Sequence, residues 1–220
     1  MTTTKIHQTI AHIRELQQHM LDAQRFRGYS GVARALSGTV ALIVALVLGS
    51  PDFPARPASH LIGWGVAVFI CALMNYGAVL HWFLYDEQVN RDPRRLSPTL
   101  EVMPAIFVGG ILTFVLARAG AYDFLFGTWM CLFGIANLAS RQVLPKWVWP
   151  LGWYYIVCGT ACLLIPTPFM SPWSMGIVFF AGELAGGIIL RSDRKRLRHV
   201  SPLVKHGLPR QSLPACDDEN

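Results

Sequence analysis

The stretch WSMGIVFFAGELAGGIIL, from Trp173 to Leu190, decides the fold of this chain, and the basic segment RSDRKRLRH follows it directly. A helix of 18 apolar residues is long enough to cross a hydrocarbon core of roughly 30 Å, because each residue adds about 1.5 Å. Its one ionisable residue, Glu183, lies near the middle of the run. The basic segment marks the end that faces the cytoplasm.

The composition of the whole chain also indicates a membrane protein. Charged residues make up 15% of its 220 residues, against about 25% in soluble proteins. The formal net charge of +6 does not indicate a nucleic-acid partner, because Lys and Arg lie in connections and termini where membrane topology explains them. No nucleic-acid recognition motif accompanies them. We therefore expect the lipid bilayer as the main partner and no nucleic acid.

Five further apolar stretches resemble the first, which predicts an all-α polytopic membrane protein with six transmembrane helices. Short charged or proline-rich connections separate them, and one membrane domain accounts for residues 32–190. The predicted spans are 32–48, 61–85, 100–117, 122–139, 147–165 and 173–190.

The basic residues predict the orientation of these helices. With the N-terminus inside, all of the 19 Lys and Arg except Arg56 and Arg118 fall on the cytoplasmic side. This bias satisfies the positive-inside rule. We therefore predict a protein integral to the cell inner (plasma) membrane, with both the N- and C-termini in the cytoplasm.

The segment before the first span, residues 1–31, is predicted to be a cytoplasmic amphipathic helix. Between residues 4 and 25 one stripe of about 140° at 100° per residue carries the apolar side chains Ile6, Ile10, Ile13, Leu16, Met20 and Leu21. Such a helix can lie on the inner membrane surface or pack on the bundle. It can also serve as a partner or self-association helix, and a homo-oligomer stays open.

The segment after the last span, residues 191–220, is predicted to be a basic juxtamembrane segment followed by a flexible tail. Its later part has no periodic apolar pattern. The basic side chains would lie at anionic lipid headgroups, each contributing about 1 kcal/mol at most. These lipid-contacting residues are Arg191, Arg194, Lys195, Arg196 and Arg198.

Comparing the spans indicates three repeats of a two-helix hairpin, at 32–85, 100–140 and 147–190. Odd-numbered spans share a patch of small residues around Gly38, Gly109 and Gly159. In the second and fourth spans a glycine precedes an asparagine by ten residues, and Glu183 takes the comparable place in the sixth. The alternative is that small residues are frequent in any membrane helix, where they allow close packing.

Two stretches carry a resemblance to a known family. They are ALSGTVALIVALVLGSP, from Ala35 to Pro51, and IVCGTACLLIPTP, from Ile156 to Pro168. Each has a small-residue patch, a run of aliphatic residues and a proline just outside. The chain resembles the HdeD-like bacterial membrane proteins, and this resemblance implies six spans built from repeated hairpins and an association with acid and stress responses.

Glu183 is the first candidate for a functional residue. A carboxylate at the bilayer centre costs several kcal/mol unless it is protonated or paired. The repeat predicts that Glu183, Asn75 and Asn137 face the bundle interior as an intramembrane polar cluster. Such a cluster can be a proton or solute site, or it can join the three hairpins by interhelical hydrogen bonds of about 1 kcal/mol each.

The remaining candidates favour no catalytic residue, cofactor or metal. His81 and Asp86 form an inner-interface candidate, but a haem would need a second intramembrane histidine. Cys158 and Cys162 lie one helical turn apart and can hold a soft metal, although small side chains at a helix contact explain them as well. No HExxH, Walker-type or GxSxG motif occurs.

The sequence therefore predicts a non-enzymatic integral membrane protein, of unassigned function, with a stress-related or regulatory role. The alternative is a small transporter or channel with a polar site around Glu183. A water-filled cavity that reaches Glu183 from one side would favour this alternative, and a close-packed apolar interior around it would disfavour it. A membrane enzyme acting on lipid, with the acidic residues after the second span as a metal site, is the third hypothesis.

Overall fold

The computed structural model describes residues 29–85, 102–140, 144–165 and 167–207, and side chains as far as Lys195 with the exception of residue 146. This part of the chain is helical and contains no strand. Short 3₁₀ turns, Tyr122–Phe124 and Lys146–Val148, lead into two of the helices. The six α-helices are α1 (Gly31–Leu48), α2 (Pro57–Tyr85), α3 (Met103–Arg118), α4 (Leu125–Ala139), α5 (Trp149–Leu164) and α6 (Trp173–Gly207).

The predicted all-helical class is confirmed, and four segments are long and apolar enough to cross a membrane. These segments are Gly31–Leu48, Pro57–Tyr85, Tyr122–Ala139 and Trp173–Lys195. Helices α3 and α5 have 16 residues each, which corresponds to about 24 Å. The chain therefore has the helices of an integral membrane protein, at the positions where the apolar runs predict them. The predicted N-terminal amphipathic helix lies outside the described residues.

Helix starts follow from capping residues and prolines. Ser30 caps α1, because its side-chain oxygen accepts a hydrogen bond from the backbone N–H of Ala33 at 3.3 Å. Helix α2 begins at Pro57, four residues before the predicted start, since proline fits the first helical turn, where the N–H has no partner. This start places His60 inside the helix rather than in the connection before it.

Helix α6 is longer than the sequence predicts. It continues from the membrane-crossing part to Gly207, so residues 201–207, which the sequence predicts as part of the flexible tail, are helical; residues 208–220 lie outside the described part. The basic segment is rich in Arg, Lys and Leu, which have high helix propensity. A helix that already exists extends without a new nucleation cost.

The helices pack unevenly. Helix α1 lies closest to α6, and α4 lies closest to α5. Glycines make these two approaches possible: a Cβ added at Gly31 would lie 2.6 Å from the carbonyl oxygen of Gly187, and one added at Gly134 would lie 2.7 Å from that of Gly152. Close backbone contact of this kind is the main way in which membrane helices gain packing energy.

Helices α2 and α3 pack loosely and hardly contact each other. Only 11% of the apolar 18-residue stretch of α2 that could cross a membrane is buried. Three glycines on these helices have no described atom within 4 Å of their Cβ positions: Gly65 and Gly77 on α2, and Gly110 on α3. The side of the bundle formed by α2 and α3 is therefore open, and a cavity lies behind it.

Candidate functional site

The cavity has a volume of about 600 Å³ and lies among α1, α2, α3, α4 and α6. Most of its wall is apolar, and aromatic side chains from α2, α4 and α6 form much of it. Arg34 and Glu183 are the charged side chains on the described part of this wall. The aromatic residues on the described wall are Tyr29, Trp64, Tyr76, Phe126, Trp129, Phe133, Phe169 and Phe179.

Arg34 of α1 and Glu183 of α6 form an ion pair at the cavity wall. The Arg34 Nη2 donates to Glu183 Oε1 at 3.0 Å, and the Arg34 Nε lies 3.0 Å from Glu183 Oε2. The N–H of Nε is not aligned with that oxygen, so this second contact is electrostatic and not a hydrogen bond. The side chains are 11% and 7% exposed. Glu183 is thus paired with a cation, as its position in the membrane requires.

Glycines beside Glu183 make room for its partners. A Cβ added at Gly186 would lie 2.5 Å from the Arg34 Nε, and one added at Gly182 would overlap the Tyr155 hydroxyl. The next residue, Gly187, contacts the backbone of α1. The sequence GELAGG therefore places a carboxylate between two recesses, one for a guanidinium and one for a phenol.

Two further residues complete the polar network. The Tyr155 hydroxyl of α5 donates to Glu183 Oε1 at 2.9 Å, and Tyr155 is fully buried. The Arg34 Nη2 also donates to Asn137 Oδ1 of α4 at 2.8 Å. The Asn137 Nδ2 donates to the carbonyl oxygen of Phe133 at 2.8 Å. Four helices thus meet at a single guanidinium and carboxylate.

Asn75, the third predicted member of the cluster, lies on the same cavity wall but bonds elsewhere. Its Nδ2 donates to Ser37 Oγ of α1 at 2.7 Å and to the carbonyl oxygen of Cys71 at 2.9 Å. Ser37 lies three residues after Arg34 and therefore faces nearly the same way. Helix α1 binds all three predicted polar residues, Glu183 and Asn137 through Arg34, and Asn75 through Ser37.

Arg34 and Tyr155 belong to the network but were not predicted as members of it from the sequence. Arg34 lies in the first turn of α1, so counting it as a cytoplasmic charge ignored the reach of its side chain. The glycines around Glu183 were the available signal, together with the need of a buried carboxylate for a cation within reach. No feature of the sequence distinguishes Tyr155 from the neighbouring aromatic residues.

The inner-interface candidate remains incomplete. His81 is exposed, and its ring packs against the ring of Tyr85 with 4.8 Å between centroids. It does not belong to the described cavity wall, and Asp86 lies outside the described residues. Within the described segments no three His, Cys, Asp or Glu side chains are grouped to hold a metal ion. Cys158 and Cys162 are free thiols.

The basic residues after the membrane-crossing part of α6 are exposed where their side chains are described, at Arg191, Arg194 and Lys195. The Arg194 Nη2 donates to the carbonyl oxygen of Tyr29 at 2.7 Å, which ties the basic end of α6 to the start of α1. Arg196 and Arg198 continue the same helix, and their side chains lie outside the described part.

Comparisons with known proteins do not assign a role to this site. No family model, no curated protein and no solved structure matches the chain. The resemblance to the HdeD-like proteins therefore stays a prediction, and the geometry of the site carries the functional argument.

Proposed function

We propose that the chain is a small, non-enzymatic transporter of the inner membrane, with a polar site around Glu183 and an amphiphilic molecule as its substrate. In this proposal all six helices cross the bilayer as three hairpins, and both termini are cytoplasmic. Support for six crossings comes from helices α3 and α5, which are apolar along their length. The 3₁₀ turn Lys146–Val148 lengthens α5 at its start.

One observation carries the proposal: the cavity reaches the Arg34–Glu183 pair. Polar residues that only join helices need no space beside them, because close packing strengthens their hydrogen bonds. A volume of about 600 Å³ falls within the roughly 300–1,000 Å³ of small-molecule sites. This favours a binding site over the structural or regulatory role, which remains the second candidate.

The wall of the cavity indicates an amphiphilic occupant. An apolar, aromatic wall suits an alkyl chain or ring system, and the ion pair with Asn75 and Asn137 offers hydrogen bonds to a polar end. The indole N–H of Trp64 is buried on this wall and has no acceptor among the described residues.

The opening between α2 and α3 is the proposed entrance. These helices hardly contact each other, and Gly65 and Gly110 line the cavity without a described neighbour at their Cβ positions. A molecule dissolved in the bilayer can enter sideways without crossing water. We further propose that Arg191, Arg194 and Lys195, which are exposed on α6, hold its basic end at anionic headgroups.

The proposal is tested in proteoliposomes by measuring how fast an alkyl chain with a fluorescent nitrobenzoxadiazole label crosses the bilayer. Dithionite bleaches only the label in the outer leaflet, so the loss of the protected fluorescence reports the crossing. Wild type should speed translocation above that of protein-free liposomes. Gly110→Leu should abolish the increase, because the leucine side chain projects into the cavity at the proposed entrance. Gly77→Leu is the matched control, since Gly77 also has open space at its Cβ position but does not line the cavity.

The two variants make the test specific to the cavity. Both add a leucine to a loosely packed helix, so a general effect on folding would reduce translocation in both. Equal rates in wild-type proteoliposomes and in protein-free liposomes would overturn the transporter proposal. So would full activity of Gly110→Leu.

A further inference from the structure

The charges on the cavity wall restrict the class of substrate more than the shape of the cavity does. Arg34 and Glu183 are the charged groups on the described wall, and together they are neutral. A charged ligand head must therefore displace one member of the pair from the other. The cost depends on whether the displaced member can lose its charge, because an unpaired charge in an apolar site is expensive.

The two members differ in this respect. A guanidinium stays protonated in proteins, whereas a carboxylate can take up a proton. If a cation displaced Arg34 from Glu183, the arginine charge would remain buried and unpaired. If an anion displaced Glu183 from Arg34, a proton from water would neutralise Glu183, and the site would again carry no net charge.

We propose that the substrate is an amphiphile with an anionic head, that Arg34 binds this head in place of Glu183, and that Glu183 takes up one proton per bound anion. This inference rests on the proposed function, because it concerns the same cavity. The proton comes from solution and ends on the carboxylate, so the bound state contains the guanidinium cation, the ligand anion and a neutral carboxyl group. A planar carboxylate or a tetrahedral sulfonate or phosphate can accept two N–H bonds from arginine.

The surroundings of Glu183 are consistent with this exchange. From α5 the Tyr155 hydroxyl donates to Glu183 Oε1 and can turn to accept from a protonated carboxyl group. From α4 Asn137 holds the Arg34 Nη2, which keeps the guanidinium at the wall when Glu183 leaves it. From α2 the cavity wall presents the side chains of Cys71 and Tyr76, and from α3 its described wall presents no charged group.

The experiment measures quenching of Trp64 fluorescence by brominated amphiphiles, with the full chain in nanodiscs of phosphatidylcholine. Three probes share one alkyl chain and carry a sulfonate, a hydroxyl or a trimethylammonium head. Because sulfonate and trimethylammonium keep their charges, the pH dependence reports the protein alone. The fluorescence of the Trp64→Phe variant gives the signal of the other tryptophans, which is subtracted from that of the wild-type chain.

The sulfonate should bind at least tenfold more tightly than the trimethylammonium probe. Its affinity should rise up to tenfold for each unit by which pH falls, since one proton accompanies each anion. In Glu183→Gln this pH dependence should disappear. A second measurement uses the wild-type chain and so does not depend on the folding of a variant. The wild-type chain should take up one proton per bound sulfonate from weakly buffered solution.

The hydroxyl probe separates the two proposals. If it quenches Trp64 and the sulfonate does not, or if sulfonate binds without proton uptake, the anion exchange is wrong and the cavity remains a binding site. If none of the three probes quenches Trp64, the proposed function fails. Equal binding of the cationic and anionic probes would also overturn the exchange.

Discussion

The two sides of this bundle are built in opposite ways. On one side α1 and α6 lie so close that Gly31 and Gly187 contact each other, and the buried pair of Arg34 and Glu183 bridges the same two helices. On the other side α2 and α3 hardly touch, and glycines such as Gly110 face open space. The close side holds a charge network in a fixed geometry, and the open side gives access to it.

The contrast between the two sides explains how a buried ion pair can be both anchored and accessible. Packing on one side fixes the position of the guanidinium, through Gly186 and Asn137. Weak packing on the other side leaves the cavity in front of it. Neither feature alone would make a site, because a fully packed pair is inaccessible and a fully open one has no defined geometry. Substitutions on the two sides should therefore differ in their effects.

The largest effect on stability is expected when only one member of the ion pair is replaced. Arg34→Met or Glu183→Leu should each lower the free energy of unfolding by about 3–5 kcal/mol, because the remaining charge stays buried without its partner. The double variant should recover most of this loss. Thermal unfolding in detergent measures all three proteins, and additive losses in the double variant would show that the two residues do not interact.

The next effect comes from the glycine contact. Gly187→Leu places a side chain against the backbone of α1, where a Cβ would already lie 2.5 Å from the carbonyl oxygen of Gly31. We expect a loss of about 1–3 kcal/mol, seen as a lower unfolding temperature. Gly77→Leu, on the open side, should change the unfolding free energy by no more than about 0.5 kcal/mol. Similar losses in both variants would remove the contrast between the two sides.

A smaller effect is expected from the tyrosine. Tyr155→Phe removes one hydrogen bond to Glu183 Oε1 and keeps the ring contacts with Phe133 and Phe179. The loss should be about 1 kcal/mol, as for other hydrogen bonds between membrane helices. The neighbouring Tyr154→Phe is the control: it removes a hydrogen bond outside the network, to the carbonyl oxygen of Val178 at 3.1 Å, and should leave the pairing of Arg34 with Glu183 intact.

The smallest effect should have the opposite sign. Gly65→Ala and Gly110→Ala should each stabilise the protein by up to about 1 kcal/mol, because alanine restricts the unfolded chain and meets no described atom. Gly134→Ala should destabilise it, because its Cβ would lie 2.7 Å from the Gly152 carbonyl oxygen. A loss of stability on alanine substitution at Gly65 and Gly110 would mean that α2 and α3 are packed after all.

The sequence predicts the helices well because a long apolar run has few alternatives to a membrane helix. It predicts the site only in part. Glu183 and Asn137, which the predicted repeat groups together, both accept hydrogen bonds from Arg34, whereas Asn75 bonds to Ser37. The missing information is the reach of a side chain: Arg34 begins near the helix end and extends towards the level of Gly186.

The cavity itself has no signature in the sequence. Gly65 and Gly127 look alike in their runs, yet Gly127 contacts Gly159 and Gly65 contacts no described residue at its Cβ position. Which glycines are packed depends on how the helices pair, and that pairing is a property of the whole bundle. The same reason explains why the open side between α2 and α3 could not be predicted from either helix alone.

The central claim is that the cavity in front of Arg34 and Glu183 binds an amphiphile, and protection of an introduced cysteine tests it most directly. Gly110→Cys and Gly77→Cys are made in a chain whose native cysteines are replaced, and the rate of maleimide labelling is measured in nanodiscs with and without an alkyl sulfonate. We predict that the sulfonate slows labelling at position 110 at least fivefold and leaves position 77 unchanged. Labelling rates at position 110 that neither the sulfonate nor its hydroxyl analogue changes would contradict the claim.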